Sequence, residues 1–410
     1  MFQISYSKGL RWEVEISASK NASLPIVAAN YILDNQVNLT NKPQIVDLKV
    51  LEEIFQEWKS KSKDFFDLTM EKATKIRTSI LLIPYWLHKY GSVKFIGSGW
   101  CNIWKRPLDT FDDALNKAWI TISNDEFKEY KVTGKPKRNI MLQEFSVTAT
   151  EALITYLAFL PDIDYTINIY QVATEPHVKN VIDFLNNAWA DINLNIDHSI
   201  TLKPSKINIK NPEFKIISDY IEAGTYFAIW AWADDTEITL KNVNVDDLSS
   251  MYNIAEKIGI NFKIIDKNTI TVNSFNKANY KATKFETRIF PWFPTDLQSI
   301  FGTLLTQANW RSKIFETLFE GRFSYLTELE NLWADIEVLN PHQVLIIWPT
   351  KLRWNYVTST DLRGGGAMVL AGIMAQWTTN IMNENIILRG YDHIVEKLEN
   401  IWVNIKKIDD

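Results

Sequence analysis

The 410-residue chain predicts a mixed α and β fold built from six similar units, three in each of two domains. Two observations carry this. Six amphipathic helices end alike, at Phe55-Gln-Glu-Trp58, Asn116-Lys-Ala-Trp119, Asn186-Asn-Ala-Trp189, Glu256-Lys-Ile-Gly259, Asn331-Leu-Trp333 and Glu399-Asn-Ile-Trp402, spaced by 61, 70, 70, 74 and 69 residues. After most of these ends comes a short alternating strand: Ile120-Thr-Ile122, Ala190-Asp-Ile192, Ile260-Asn-Phe262, Ala334-Asp-Ile-Glu-Val338 and Val403-Asn-Ile405. The period is too long for a solenoid and suits a compact unit repeated within a closed architecture. The length allows a large core and two domains.

Taken in order, Val14-Glu-Ile16 reads as a strand, and Lys20-Asn21 precedes the apolar run 24–29. Pro212-Glu-Phe-Lys-Ile-Ile217 lies between the third and fourth units as a crossover segment. Phe293-Pro-Thr-Asp296-Leu-Gln298 reads as a helix start capped by Thr295 or Asp296. Thr360-Asp-Leu-Arg363-Gly-Gly-Gly366 opens a strongly apolar helix over 367–375.

The helix ends carry a second message. The position just past a helix often needs a left-handed backbone, which suits Gly259 and penalises any Cβ. At the other five ends that slot holds Trp. Gly is 14 of 410 residues, about half the usual share of roughly 7%, while Trp is 16. A carbohydrate-binding module with stacking platforms is the alternative reading, but it places tryptophans on exposed strands or loops.

A net charge of −5 implies no polyanion such as nucleic acid. A single cysteine, Cys101, excludes an internal disulfide and suits a reducing cytoplasm. The N-terminus lacks an apolar signal core, and the longest apolar runs, 80–84 and 227–233, are too short to span a bilayer. A cytoplasmic protein without a membrane partner is expected.

Few residues bear chemistry. A lone cysteine is usually an inert buried hydrophobe, but Cys101 lies in a loop beside Lys105 and Arg106, and cations favour the thiolate. Lys20 is either a solvated lysine at a helix start or, since its charge opposes the helix dipole, the partner of an anion there. The amides of 364–366 with Arg363 form an anion site or else a flexible linker. Arg389-Gly-Tyr391 is a second arginine at a glycine turn. The five histidines share no metal-ligand spacing, so no metal is expected. Walker, Rossmann and nucleophile-elbow motifs are absent. The remaining loop cations, thiol and acid suit anionic, phosphorylated substrates.

These pieces resemble, nearly end to end, the UDP-N-acetylglucosamine 1-carboxyvinyltransferase family, the enolpyruvyl transferases of peptidoglycan synthesis. The likeness rests on Ile16-Ser-Ala-Ser-Lys20-Asn21-Ala-Ser-Leu-Pro25, Ile76-Arg77-Thr-Ser-Ile80, Cys101-Asn-Ile-Trp-Lys-Arg106-Pro-Leu-Asp109, Glu222-Ala-Gly-Thr225, Phe293-Pro-Thr-Asp296-Leu-Gln298, Phe319-Glu-Gly-Arg322-Phe323, Thr360-Asp-Leu-Arg363 and Arg389-Gly-Tyr391. The resemblance implies two inside-out α/β barrels, each of three repeated units. It implies an inserted domain over 20–216 and a second domain from 1–19 plus 217–410.

Roles follow by resemblance alone. Cys101 would protonate the methylene of phosphoenolpyruvate, and Asp296 would take the proton of the sugar 3-hydroxyl. Lys20, Asn21, Arg106, Arg363 and Arg389 would hold phosphoenolpyruvate. Arg77, Arg106, Pro107, Leu108, Asp109, Thr110, Glu144, Phe145, Ser146, Val147, Asp296 and Leu318 would contact UDP-N-acetylglucosamine. No cofactor is implied, and the chain would act as a monomer. Glu144, Thr148 and Phe111 depart from the family's lysine, glycine and histidine, which bears on nucleotide affinity. The 3-phosphoshikimate enolpyruvyl transferases share the fold but open with Lys-Ser and lack the loop cysteine. A tryptophan-rich sugar-nucleotide-binding protein without catalysis is the other alternative.

Against the family pattern, Trp12, Trp58, Trp100, Trp104, Trp119, Trp189, Trp292, Trp310, Trp333, Trp348, Trp354, Trp377 and Trp402 stand where glycine is usual. Trp86, Trp230 and Trp232 are left outside that set. Some bacteria read UGA as glycine where other reassigned codes read tryptophan. The expectation is a gene translated with the wrong table.

Overall fold

The structure, a computed structural model, describes residues 1–60, 67–68, 71–95, 108–124, 128–347 and 349–408. Cys101, Arg106 and Pro107 lie outside the described residues, as do Trp100, Trp104 and Trp348. The chain forms two compact units. One combines Met1–Ser17 with Ser218–Asp410, and the other begins at Ala18 and ends at Ile217. Each has its own hydrophobic core.

Both units repeat one motif: a buried helix, a strand, an amphipathic helix and, in the fullest form, a hairpin. Helix Tyr220–Trp232, strand Glu237–Lys241, helix Ser249–Ile258 and hairpin Asn261–Asp266/Thr269–Asn273 are one such repeat. The first helix is apolar on every side apart from Glu222 and Thr225 and is buried along nearly its whole length, which keeps it inside. Helix Ser249–Ile258 buries one face only, through Met251, Tyr252, Ile254, Ala255 and Ile258. In Thr269–Asn273 only Ile270 and Val272 of the alternating pattern are buried. Helices Tyr220–Trp232, Gln298–Leu305 and Leu362–Met374 pack on one another at the centre of the larger unit. Helices Lys20–Ile32, Ile83–Tyr90 and Val147–Leu157 do the same in the other. With helices inside and sheets outside, each unit is an inside-out α/β barrel.

The chain ends meet in one sheet. Strand Phe2–Ser5 lies antiparallel between Thr378–Met382 and Ile405–Lys407, so the N-terminus completes the last repeat. The crossover segment holds strand Glu213–Lys215, which pairs in parallel with Asn38–Thr40.

Four of the five tryptophan-bearing helix ends adopt the expected backbone. Trp119, Trp189, Trp333 and Trp402 have φ of 63°, 72°, 75° and 74°, beside 90° at Gly259. After Gly259, the N–H of Ile260 donates to Ala255 O at 2.9 Å. The same bond recurs from Ala190 to Leu185, Ala334 to Leu329 and Val403 to Leu398, at 3.1, 3.0 and 3.0 Å. This is the six-to-one closure of a left-handed helix cap. Trp12, Trp310 and Trp377 are left-handed too, at 88°, 80° and 69°.

Trp58 corrects the sequence reading. Helix Val46–Ser60 runs past it, and its ring is buried among Phe55, Tyr85, Trp86 and Tyr90, 5.2 Å from Trp86 and perpendicular to it. That side chain is core. Trp292 and Trp354 are not left-handed either.

Candidate active site

In the larger unit, acids gather where the central helices begin. Asp219 Oδ1 accepts from the N–H of Ile221 and Glu222 at 2.9 and 3.1 Å. Asp361 Oδ1 accepts from Arg363 and Gly364 at 2.8 and 3.1 Å. Each carboxylate satisfies two of its helix's orphan donors. Asp296 sits in the 3₁₀ turn Thr295–Leu297 leading into Gln298–Leu305.

Two expectations fail here. Neither Thr295 nor Asp296 caps that helix, because their side chains are drawn elsewhere. The glycines 364–366 are not a loop offering amides to a ligand. They lie buried within Leu362–Met374, and Asp361 takes the first amides. Close approach explains them: a Cβ on Gly366 would stand 2.6 Å from Tyr391 Oη, and one on Gly365 would stand 2.3 Å from Ser359 Oγ.

Asp296 is held by two arginines. Arg363 Nε donates to its Oδ2 at 3.1 Å, and Arg322 Nη2 donates to its Oδ1. Arg322 Nε donates to Thr295 Oγ1 at 3.1 Å, and that hydroxyl donates to Glu316 Oε2 at 2.8 Å. Glu316 Oε1 accepts from the N–H of Leu318 at 2.9 Å, which fixes the turn carrying that half-exposed side chain. Burial disfavours the charge on Arg363, but Asp296, Tyr391 and Asp219 together keep its pKa above the ordinary value. The Tyr391 ring lies 5.6 Å from its guanidinium carbon. Arg389 is half-buried, two residues before Tyr391.

Glu222 lies one turn into the helix that follows the crossover. It is 2% exposed, and its carboxylate accepts from Lys397 Nζ and from the Ser17 N–H. Burial outweighs the lysine and pushes its carboxyl up from 4.5 to about 7. A carboxyl raised this way adds stability that is full below pH 4.5 and lost as pH rises through about 7. Glu222→Gln is expected to flatten the stability profile across that window, where the parent loses on the order of 3 kcal/mol. Parallel curves of Tm against pH for the two proteins would refute this.

In the other unit, Lys20 is the first residue of its helix, and its Nζ meets Asp47 Oδ2 at 2.8 Å with both side chains largely buried. The anion that tolerates a lysine at a helix start is thus supplied by the chain. Asn21 follows, half-buried. Arg77 opens the 3₁₀ turn Arg77–Leu82 before Ile83–Tyr90, and Ser146 caps Val147–Leu157 by accepting from Ala149 N–H at 3.4 Å. Lys20, Arg77 and Val147 therefore stand at or just before the starts of three central helices.

Thr110 Oγ1 donates to Glu144 Oε1 at 3.0 Å, joining two residues assigned to the nucleotide. Phe145 packs edge-on against His198, with centroids 5.2 Å apart. Asp109 is exposed at the start of Asp109–Lys117, after the half-buried Leu108. Thr148 is half-buried in its helix, and Phe111 is buried edge-on against Tyr130.

Sequence reasoning missed Arg322, Asp47, Glu316 and Asp219 as parts of these sites. Phe319-Glu-Gly-Arg322-Phe323 is visible as a motif, but nothing local says that Arg322 reaches an acid 26 residues earlier.

Comparison with known proteins agrees with this architecture. A family profile for EPSP synthase (3-phosphoshikimate 1-carboxyvinyltransferase) matches residues 4–398. The UDP-N-acetylglucosamine 1-carboxyvinyltransferase of Campylobacter fetus subsp. fetus is 32% identical over 427 residues, covering 100% of this chain and 99% of its own. That of the Wolbachia of Brugia malayi is 33% identical, covering 97% of each. Among solved structures, the enolpyruvyl transferase NikO of Streptomyces tendae superposes with a TM-score of 0.84 over 99% of this chain and 98% of its own, at 18% identity. EPSP synthase of Acinetobacter baumannii gives 0.74 over 100% of both chains at 12% identity. These two likenesses speak for the fold alone. On its full-length kinship, the chain belongs to the EPSP synthase family of enolpyruvyl transferases, among the UDP-N-acetylglucosamine 1-carboxyvinyltransferases.

Proposed function

We propose that the chain transfers the enolpyruvyl group of phosphoenolpyruvate to the 3-hydroxyl of UDP-N-acetylglucosamine, releasing phosphate, in the cytoplasm and for peptidoglycan synthesis. The observation that carries this reading is Arg363, a buried guanidinium at a helix start with Nε on Asp296 and Nη1 without a hydrogen-bond partner among the described residues. A donor desolvated at that cost awaits an anion, next to a carboxylate able to accept a proton.

In this reading the Cys101 thiol gives its proton to the methylene carbon while the sugar oxygen bonds to the adjacent carbon. Asp296 takes the hydroxyl proton. Phosphate then leaves, the new methyl group returns a proton to the enzyme, and the double bond re-forms. Lys20, Asn21, Arg106, Arg363 and Arg389 offset the charge of phosphoenolpyruvate. Arg77, the segment 106–110, residues 144–147 and Leu318 hold the sugar nucleotide. Among the described residues no helix is long and apolar enough to cross a membrane.

The test is phosphate release from phosphoenolpyruvate with UDP-N-acetylglucosamine, and with 3-phosphoshikimate as the rival acceptor, on the chain with its tryptophans and on one with glycine at the thirteen family-glycine sites. Release with the sugar nucleotide is expected. A glycine version that binds both substrates yet releases nothing overturns the assignment, and release only with 3-phosphoshikimate overturns the acceptor.

A further inference from the structure

Asp296 is an awkward base as it stands. Both of its oxygens accept charge-assisted hydrogen bonds, from Arg322 at Oδ1 and from Arg363 at Oδ2. Such bonds stabilise the carboxylate and oppose its taking a proton. The two arginines are not equivalent. Arg322 is 1% exposed and tied down through Nε to Thr295, itself bonded to Glu316, and its Nη1, also without a hydrogen-bond partner among the described residues, lies 3.7 Å from Asp361 Oδ1. Arg363 makes one bond to Asp296 and is held by Tyr391, and its buried Nη1 has no hydrogen-bond partner among the described residues.

We propose that Arg322 is a positioning residue that fixes Asp296, whereas Arg363 is a releasable latch, drawn off Asp296 when an anionic substrate group binds it. This rests on the reading above of Asp296 as the base. An anion and Asp296 compete for one guanidinium, so binding of the anion takes the Arg363 bond off Oδ2 and makes that oxygen a better acceptor of the hydroxyl proton. The base is thereby weak until the anionic co-substrate has arrived.

Competition is reciprocal, so loosening one partner must tighten the other. Calorimetry on the full chain, with phosphoenolpyruvate and separately with inorganic phosphate, is expected to show about five- to tenfold tighter binding by Asp296→Asn. Relief of simple repulsion between Asp296 and the anion would also tighten binding, so the same change is made in an Arg363→Lys background, whose ammonium lacks the fork. There the gain is expected to fall below about twofold. An equal gain in both backgrounds, or none in the Arg363 protein, overturns the latch. Arg322→Lys is a second test: kcat should fall and the acid limb of its pH profile move, with KM for phosphoenolpyruvate unchanged. A rise in KM with kcat preserved makes Arg322 a ligand and overturns its positioning role. A chain that shows the coupling but releases no phosphate with UDP-N-acetylglucosamine refutes the functional reading, while the competition of Asp296 and the anion for Arg363 stands.

Discussion

Glycine at Trp12, Trp119, Trp189, Trp310, Trp333, Trp377 and Trp402 is expected to stabilise the chain by about 4–7 kcal/mol, a large part of a typical total of about 5–15. Each of the seven residues holds a left-handed backbone, with φ between 63° and 88°. That conformation costs a residue with a Cβ about 1–2 kcal/mol. Glycine returns roughly 0.4–1 kcal/mol of this through the greater freedom of the unfolded chain, leaving about 0.5–1 per site for sites far enough apart to add. Little burial is lost in exchange, since the seven rings are 49–71% exposed. Trp12 and Trp402 are the exception to additivity: their rings meet edge-to-face at 6.1 Å, a contact worth about 0.5–1.5 kcal/mol. Urea unfolding of the two chains measures the difference, and an unchanged or lower midpoint for the glycine chain would defeat the strain argument. Peptide masses from the native source address recoding itself, with glycine expected at Trp119, Trp189, Trp333 and Trp402. Tryptophan there would end the idea. Trp58 is a weaker witness, because its ring is built into the core.

The second large effect is on turnover. Asp296→Asn is expected to lower kcat about 10²–10⁴-fold, the usual worth of a positioned general base, while UDP-N-acetylglucosamine still binds. Asparagine keeps the shape and can still accept from Arg322 through its carbonyl, but it cannot carry away a proton. Steady-state phosphate release, with nucleotide binding measured separately, tests this. Retained kcat would remove Asp296 from the chemistry, and simultaneous loss of nucleotide binding would make it a ligand instead.

Much of the architecture is legible locally. The helix–strand repeat shows itself because amphipathic periodicity and cap geometry are properties of a few adjacent residues. The buried helices are harder to see, since a segment as apolar as Tyr220–Trp232 shows little periodic contrast. Cys101 and Arg106 were picked out by residue type and motif, and both lie outside the described residues.

Gly259 and the tryptophans at Trp119, Trp189, Trp333 and Trp402 share one backbone solution, and the chain announced it through position alone. Partnership is another matter. That Asp47 neutralises Lys20, and that Arg322 and Arg363 both grip Asp296, depends on segments 26 to 67 residues apart meeting across packed helices. Trp58 makes the same point in reverse: its motif matches the other helix ends, but aromatic packing carries the helix through it. Local backbone geometry is set by steric limits that each residue brings with it, whereas a buried charge is decided by whichever partners the fold delivers.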